Sequence, residues 1–129
     1  MKKVLVADDK ATGRELIRTV LEQCGCSVFE AGDGMEAVRK ARELLPDLII
    51  LDLHMPVLDG FGAFRELRGE EKFASTPIIA LTASAMQGDR ERALSAGFTS
   101  YLAKPISLNA LRGEVERLLG EELSYAGRR

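Results

Sequence analysis

Cysteine is scarce, long apolar runs are missing and neither sign of charge dominates, and each shortage removes a class of function. The two cysteines of this 129-residue chain, Cys24 and Cys26, flank Gly25. With no further Cys or His close by they make a poor zinc site. They read instead as two small apolar residues, one at a helix end and one at the next strand. Eighteen lysines and arginines stand against twenty aspartates and glutamates, a net charge of -2, so bulk electrostatic attachment to nucleic acid or an anionic membrane is not expected. No apolar run approaches the roughly 20 residues of a bilayer span. The amino terminus has two lysines but only Val4–Ala7 as an apolar stretch before Asp8 and Asp9, which does not read as a signal peptide. The expectation is a cytoplasmic protein without nucleic-acid or membrane partners. No repeat, low-complexity tract or linker interrupts the chain, and its length fits one domain. A phosphate loop with Lys-Ser/Thr is also lacking. Gly32-Asp33-Gly34 is a fragment of a glycine fingerprint and reads as a turn before a helix.

What the chain does have is an alternation of short apolar runs with helical periods. Strands are expected at Lys3–Ala7, Ser27–Ala31, Leu48–Leu51, Ile78–Leu81 and Ser100–Ala103. Several are apolar on successive residues, as strands covered on both faces are. Leu16, Ile17, Val20, Leu21 and Cys24 mark the buried stripe of a first helix, and Leu108, Leu111, Val115, Leu118 and Leu119 that of the last. Thr12 with Glu15, Asp33 with Glu36 and Ser84 with Gln87 are spaced as capping boxes, the third before an Asp89–Ala96 helix ending at Gly97. Ser107 is placed to cap the last helix. Gly60–Leu67 is a shorter helix, and Gly69–Thr76 a polar connection. The class is α/β with an open parallel sheet and helices on both faces. Residues 1–120 form the domain, and 121–129 lose periodicity and are expected to fray.

The chemistry gathers where the apolar runs stop. Val4–Ala7 ends in Asp8-Asp9, Leu48–Leu51 in Asp52, Ile78–Leu81 in Thr82, and the fifth run in Lys104-Pro105, where proline makes a cis bond accessible. Open α/β sheets bind ligands outside the carboxyl ends of their strands, where strand order reverses. Three carboxylates brought together repel unless a cation intervenes, and such an oxygen-only set suits Mg2+. A lysine beside them is suited to a phosphate oxygen.

In order along the chain, Asp8-Asp9, Asp52, Met55-Pro56, Asp59-Gly60, Thr82-Ala83, Tyr101 and Lys104-Pro105 resemble the signature of a response-regulator receiver domain, of the stand-alone chemotaxis-regulator type. Ala85–Asp89 is also similar to receivers of hybrid kinases and phosphorelay shuttles. The resemblance spans about Lys3 to Leu119. It implies a doubly wound, flavodoxin-like sheet of order 2-1-3-4-5 flanked by five helices. It further implies that Asp52 accepts a phosphoryl group from a sensor histidine kinase or phosphotransfer protein. Asp9, Asp52 and the backbone carbonyl of His54 would hold Mg2+, with Asp8 acting through water. Thr82, the amide of Ala83 and Lys104 would contact the phosphoryl oxygens. Thr82 and Tyr101 would switch the helix-four, strand-five, helix-five face toward a downstream partner, in a monomer or weak dimer. Such a protein is a signalling module with at most slow self-dephosphorylation, and no enzyme in the ordinary sense.

His54 is the only histidine, and its imidazole is expected to lie over the mouth of the site. Alternatives are a receiver cut from a hybrid kinase or larger regulator, and an aspartyl-phosphate phosphohydrolase. The second would want an acid/base carboxylate where His54 stands.

Overall fold

Five short strands lie in one parallel sheet of order β2-β1-β3-β4-β5, in a computed structural model that describes residues 1–83 and 88–120. Along the chain these are β1 (Lys3–Ala7), α1 (Ala11–Gln23), β2 (Ser27–Ala31), α2 (Gly34–Leu44), β3 (Leu48–Asp52), α3 (Gly60–Arg68), β4 (Ile78–Thr82), α4 (Asp89–Ala96), β5 (Ser100–Ala103) and α5 (Leu108–Leu119). The expected order and class are therefore observed.

The unbroken apolar runs follow from burial on both sides. Side chains alternate across a strand, so Leu5, Ile49, Leu51 and Ile78 enter one core with Ala37, Val38, Ala63, Phe64 and Leu67 of α2 and α3. Val4, Val6, Leu48, Ile50 and Ile79 enter the other with Ile17, Val20, Leu21, Leu111 and Val115 of α1 and α5. Cys24 and Cys26 are free thiols buried in this second core. Burial pushes the Cys26 thiol up to about 11, which leaves it inert as a nucleophile.

Several local expectations are corrected. Thr12 lies inside α1, whose N-cap is Lys10 without a side-chain cap bond; the carboxylate of Asp8 instead accepts from the Lys10 amide at 3.0 Å. Leu16 and Leu108 are 45% and 42% exposed, because a helix needs only a narrow stripe to cover a sheet. Asp33 does cap α2 through the Glu36 amide, but Glu36 reaches back to the amide of Gly32 rather than to that of Asp33. Ser107 caps α5 as expected, accepting from Ala110. The Gly69–Thr76 connection holds a 3-10 turn that buries Phe73. The Ser84–Gln87 pairing and the 121–129 tail lie outside the described residues.

Ionic contacts tie α1 and α2 to the outer strand β2. Glu30 receives Arg14 Nε at 2.8 Å on one carboxylate oxygen and Arg18 on the other. Partial burial opposes its ionisation, but the two guanidiniums outweigh that and hold the carboxyl below its ordinary range. Arg18 Nη2 also donates to the carbonyl of Val28 at 3.1 Å, and Lys40 Nζ to the carbonyl of Glu30.

Leu45 ends α2 in the left-handed region (φ 50°, ψ 62°), its amide donating to the Ala41 carbonyl. Its side chain is 54% exposed and gains little from burial, while a Cβ is disfavoured in that conformation. Leu45→Gly should therefore stabilise the fold by about 0.5–1 kcal/mol, read as a higher urea midpoint at unchanged m.

Candidate functional site

The register of the sheet brings the strand ends together. Ala7 pairs with Leu51, Asp52 with Leu81, and Thr82 with Ala103. Asp8, Asp52, Thr82 and Lys104 thus emerge along one edge, at the β1–β3 junction where strand order reverses. Carboxylate oxygens of Asp8, Asp9 and Asp52 lie within 4.8 Å of one another.

Asp52 is 3% exposed and Asp8 1%, while Asp9 faces solvent. Lys104 Nζ donates to Asp52 Oδ2 at 2.7 Å and lies 3.1 Å from Asp8 Oδ2. The second oxygen of Asp52 accepts the His54 amide at 3.0 Å. Burial raises the pKa of Asp52, and Asp8 adds to the rise; Lys104 and the His54 amide oppose it without cancelling it. Burial works to lower that of Lys104, but the two carboxylates outweigh it and raise the value. Burial is the main reason Asp52 stays hard to ionise, and the Asp8 carboxylate that shares its one ammonium adds to it.

The turn after Asp52 is shaped by residues that carry no charge to the site. Gly60 donates its amide to the carbonyl of Leu53 at 3.1 Å. A Cβ on it would stand 2.3 Å from the carbonyl oxygen of Asp52, so only glycine lets α3 start this close. Asp59 caps α3 by accepting from Gly62 at 2.8 Å, and Met55 is buried in the core. Between them Val57 takes φ 70° while the Leu58 amide reaches the carbonyl of Pro56 at 2.7 Å, a γ-turn. The Met55-Pro56 and Asp59-Gly60 pairs thereby fold the loop back under the carboxylate. Gly13 does the same from α1: a Cβ there would lie 2.9 Å from Asp8 Oδ2.

The remaining sequence-derived residues sit beside this centre. Thr82 is fully buried and its carbonyl accepts the Lys104 amide at 2.8 Å. Ala83 follows it and is exposed. Lys104-Pro105 is cis. Tyr101 is half-buried against the α2–α3 core, with the Arg90 guanidinium 5.0 Å from its ring centroid. It pairs with Ala80, so alternation sets it on the same sheet face as Thr82. The His54 imidazole reaches α4, with Nε2 3.1 Å from Asp89 Oδ2. Neither Asp89 nor Gly13 was legible as part of the neighbourhood. The His54–Asp89 contact spans 35 residues and no local spacing announces it.

A doubly wound sheet with an acidic crevice and one lysine at its carboxyl edge is the frame of a phosphate- or metal-handling α/β protein. The sequence profile of the response regulator receiver domain matches residues 4–116, and the chain belongs to that family, the receivers of two-component signalling. The polar-differentiation response regulator DivK of Brucella ovis is 34% identical over 120 residues, covering 93% of this chain and 98% of its own. The receiver domain of a sensor histidine kinase from Pseudomonas aeruginosa, solved with a magnesium ion coordinated in its active-site cleft, is 41% identical with a TM-score of 0.85, covering 93% of this chain and 98% of that one. A receiver domain from Saccharomyces cerevisiae, crystallised with a histidine phosphotransfer signalling protein, is 32% identical with a TM-score of 0.83, covering 91% and 88%. No helix among the described residues is long and apolar enough to cross a membrane.

The raised pKa of Asp52 has a stability consequence. Its charged form opposes folding once the pH exceeds the unfolded carboxylate's value, and the penalty grows until the pH passes the raised folded value. In chelator, Asp52→Asn should gain stability over the wild type as the pH rises to neutral, since it removes the buried charge; its one oxygen serves Lys104 while the His54 amide loses its acceptor, a pH-independent cost. The gain should vanish below about pH 4, where the unfolded carboxylate is also protonated. Thermal melts across that range provide the check.

Proposed function

We propose that Asp52 is the phosphoryl acceptor of this receiver. The observation that carries the reading is the buried Asp52 carboxylate, fixed between Lys104 Nζ at 2.7 Å and the His54 amide at 3.0 Å, with Asp8 and Asp9 close by. Attack on a phosphohistidine forms an Asp52 O–P bond and breaks the donor's N–P bond; the imidazole keeps the electron pair and regains a proton. Little covalent help is needed beyond positioning and charge compensation.

The donor set suits a hard divalent cation, being all oxygen and holding one more buried carboxylate than ammonium. Asp9, Asp52 and the His54 carbonyl would hold Mg2+ directly, and Asp8 through water. When bound, it would offset the charge of the incoming phosphoryl group. Lys104 pairs with one phosphoryl oxygen, and the Thr82 hydroxyl and Ala83 amide donate to others. Drawing Thr82 toward the site frees space for Tyr101 to turn inward, which alters the α4–β5–α5 face. The donor is a sensor histidine kinase or phosphotransfer protein, and the output is a downstream protein rather than nucleic acid or membrane. The unit is residues 1–120, cytoplasmic, monomeric or weakly dimeric, with its own catalysis limited to assisting transfer and slow loss of the phosphoryl. A second reading, the receiver of a hybrid kinase, is favoured by the 41% identity to such a domain.

Intact mass after incubation with acetyl phosphate tests this. The wild type should gain one phosphoryl group with Mg2+ and none in chelator, and Asp52→Asn should gain none. An adduct that persists in Asp52→Asn would remove Asp52 from the role. If the wild type shows no adduct, a beryllofluoride titration followed by NMR separates rapid hydrolysis, in which the site still responds, from an inert receiver.

A further inference from the structure

Asp89 opens α4 and is only 7% exposed, a depth rare for a carboxylate without partners. Its Oδ2 lies 3.1 Å from Nε2 of His54 and its Oδ1 3.4 Å from Nη1 of Arg92. The Arg92 guanidinium stands 4.6 Å from the ring centroid of Phe61, near the start of α3. Among the described residues, Asp89 and Ala93 are the buried ones of α4, and the Arg90 guanidinium stands 5.0 Å from the Tyr101 ring. A helix with so little apolar burial depends on the polar contacts of its first turn. His54 in turn has two attachments: its amide holds Asp52 at 3.0 Å and its side chain holds Asp89.

We propose that the His54–Asp89 contact is a latch coupling the mouth of the site to α4, with Asp89 a positioning residue for the His54 loop. One residue touches the acceptor carboxylate through its main chain and α4 through its ring, so a shift of the Asp52–His54 turn changes the hold on α4. By linkage, the state of α4 changes the hold on the turn equally. The consequence for signalling rests on the acceptor reading above; the contact itself does not.

The test is native-state hydrogen exchange of the α4 amides from Arg92 to Ala96 in the full chain, paired with Mg2+ titration followed by NMR. His54→Ala should speed α4 exchange by about fivefold, the weight of one partly exposed hydrogen bond, and Asp89→Ala, which also loses the Arg92 contact, by at least as much. The double variant should be no faster than Asp89→Ala alone, since the His54 contact is already gone there. Asp89→Asn keeps an acceptor for the imidazole N–H and should stay within about twofold of wild type, though it loses the charge. Mg2+ affinity should move by the same factor in both alanine variants, and hardly in Asp89→Asn. Additive effects of the two alanine substitutions, or α4 exchange unchanged in His54→Ala, would overturn the latch. If the pair proves independent while the wild type still takes up phosphoryl on Asp52, the latch alone fails. A coupled pair in a wild type that neither gains an adduct nor responds to beryllofluoride sinks the acceptor reading and leaves the latch standing.

Discussion

Two buried carboxylates answered by one ammonium set the terms for this molecule. Lys104 bridges Asp52 and Asp8, and the pair keeps a surplus negative charge at the sheet's edge with Asp9 adding to it from solvent. A buried ion pair is weak support for stability, because desolvation takes back most of the Coulombic gain. The arrangement makes sense as a site held ready for positive charge, and the cost falls on a fold that has two full apolar cores to offset it.

Those cores aim the charges. Strands β1, β3 and β4 are buried on both faces, so their residues cannot slip by one position without exchanging two packed layers. A locked register fixes where each strand ends, and therefore where Asp8, Asp52 and Thr82 emerge. The glycines complete the arrangement: Gly60 brings α3 up to the main chain of Asp52, and Gly13 lets the first turn of α1 approach Asp8.

Much of this was legible beforehand because both-face burial writes itself as unbroken apolar runs, and a charge that ends such a run is conspicuous. Asp8 and Asp52 were found that way, whereas Lys104 follows a short, partly buried outer strand and stood out by its place beside proline. Tyr101 and the Ala83 amide did not; only the family signature singled them out, since an aromatic in an outer strand and a backbone amide carry no pattern of their own. The missed details have local causes. Thr12 has the spacing of a cap, but the chain enters α1 two residues earlier, with the Asp8 carboxylate already on the Lys10 amide. Leu16 and Leu108 look like core because hydropathy cannot tell which edge of an apolar stripe meets the sheet. The His54–Asp89 contact is purely tertiary. It depends on how the turn after β3 faces the start of α4, which periodicity does not encode.

The ionic cluster on β2 bears on a different question, how this protein avoids unwanted company. An outer strand normally offers unpaired main-chain carbonyls to any extended peptide. Here Arg18 occupies the carbonyl of Val28 and Lys40 that of Glu30, and the strand is only five residues long. An incoming strand would have to displace Arg18 and Lys40 from these carbonyls before forming its bonds there. Recruitment and edge-to-edge aggregation by strand addition are thereby disfavoured along that border.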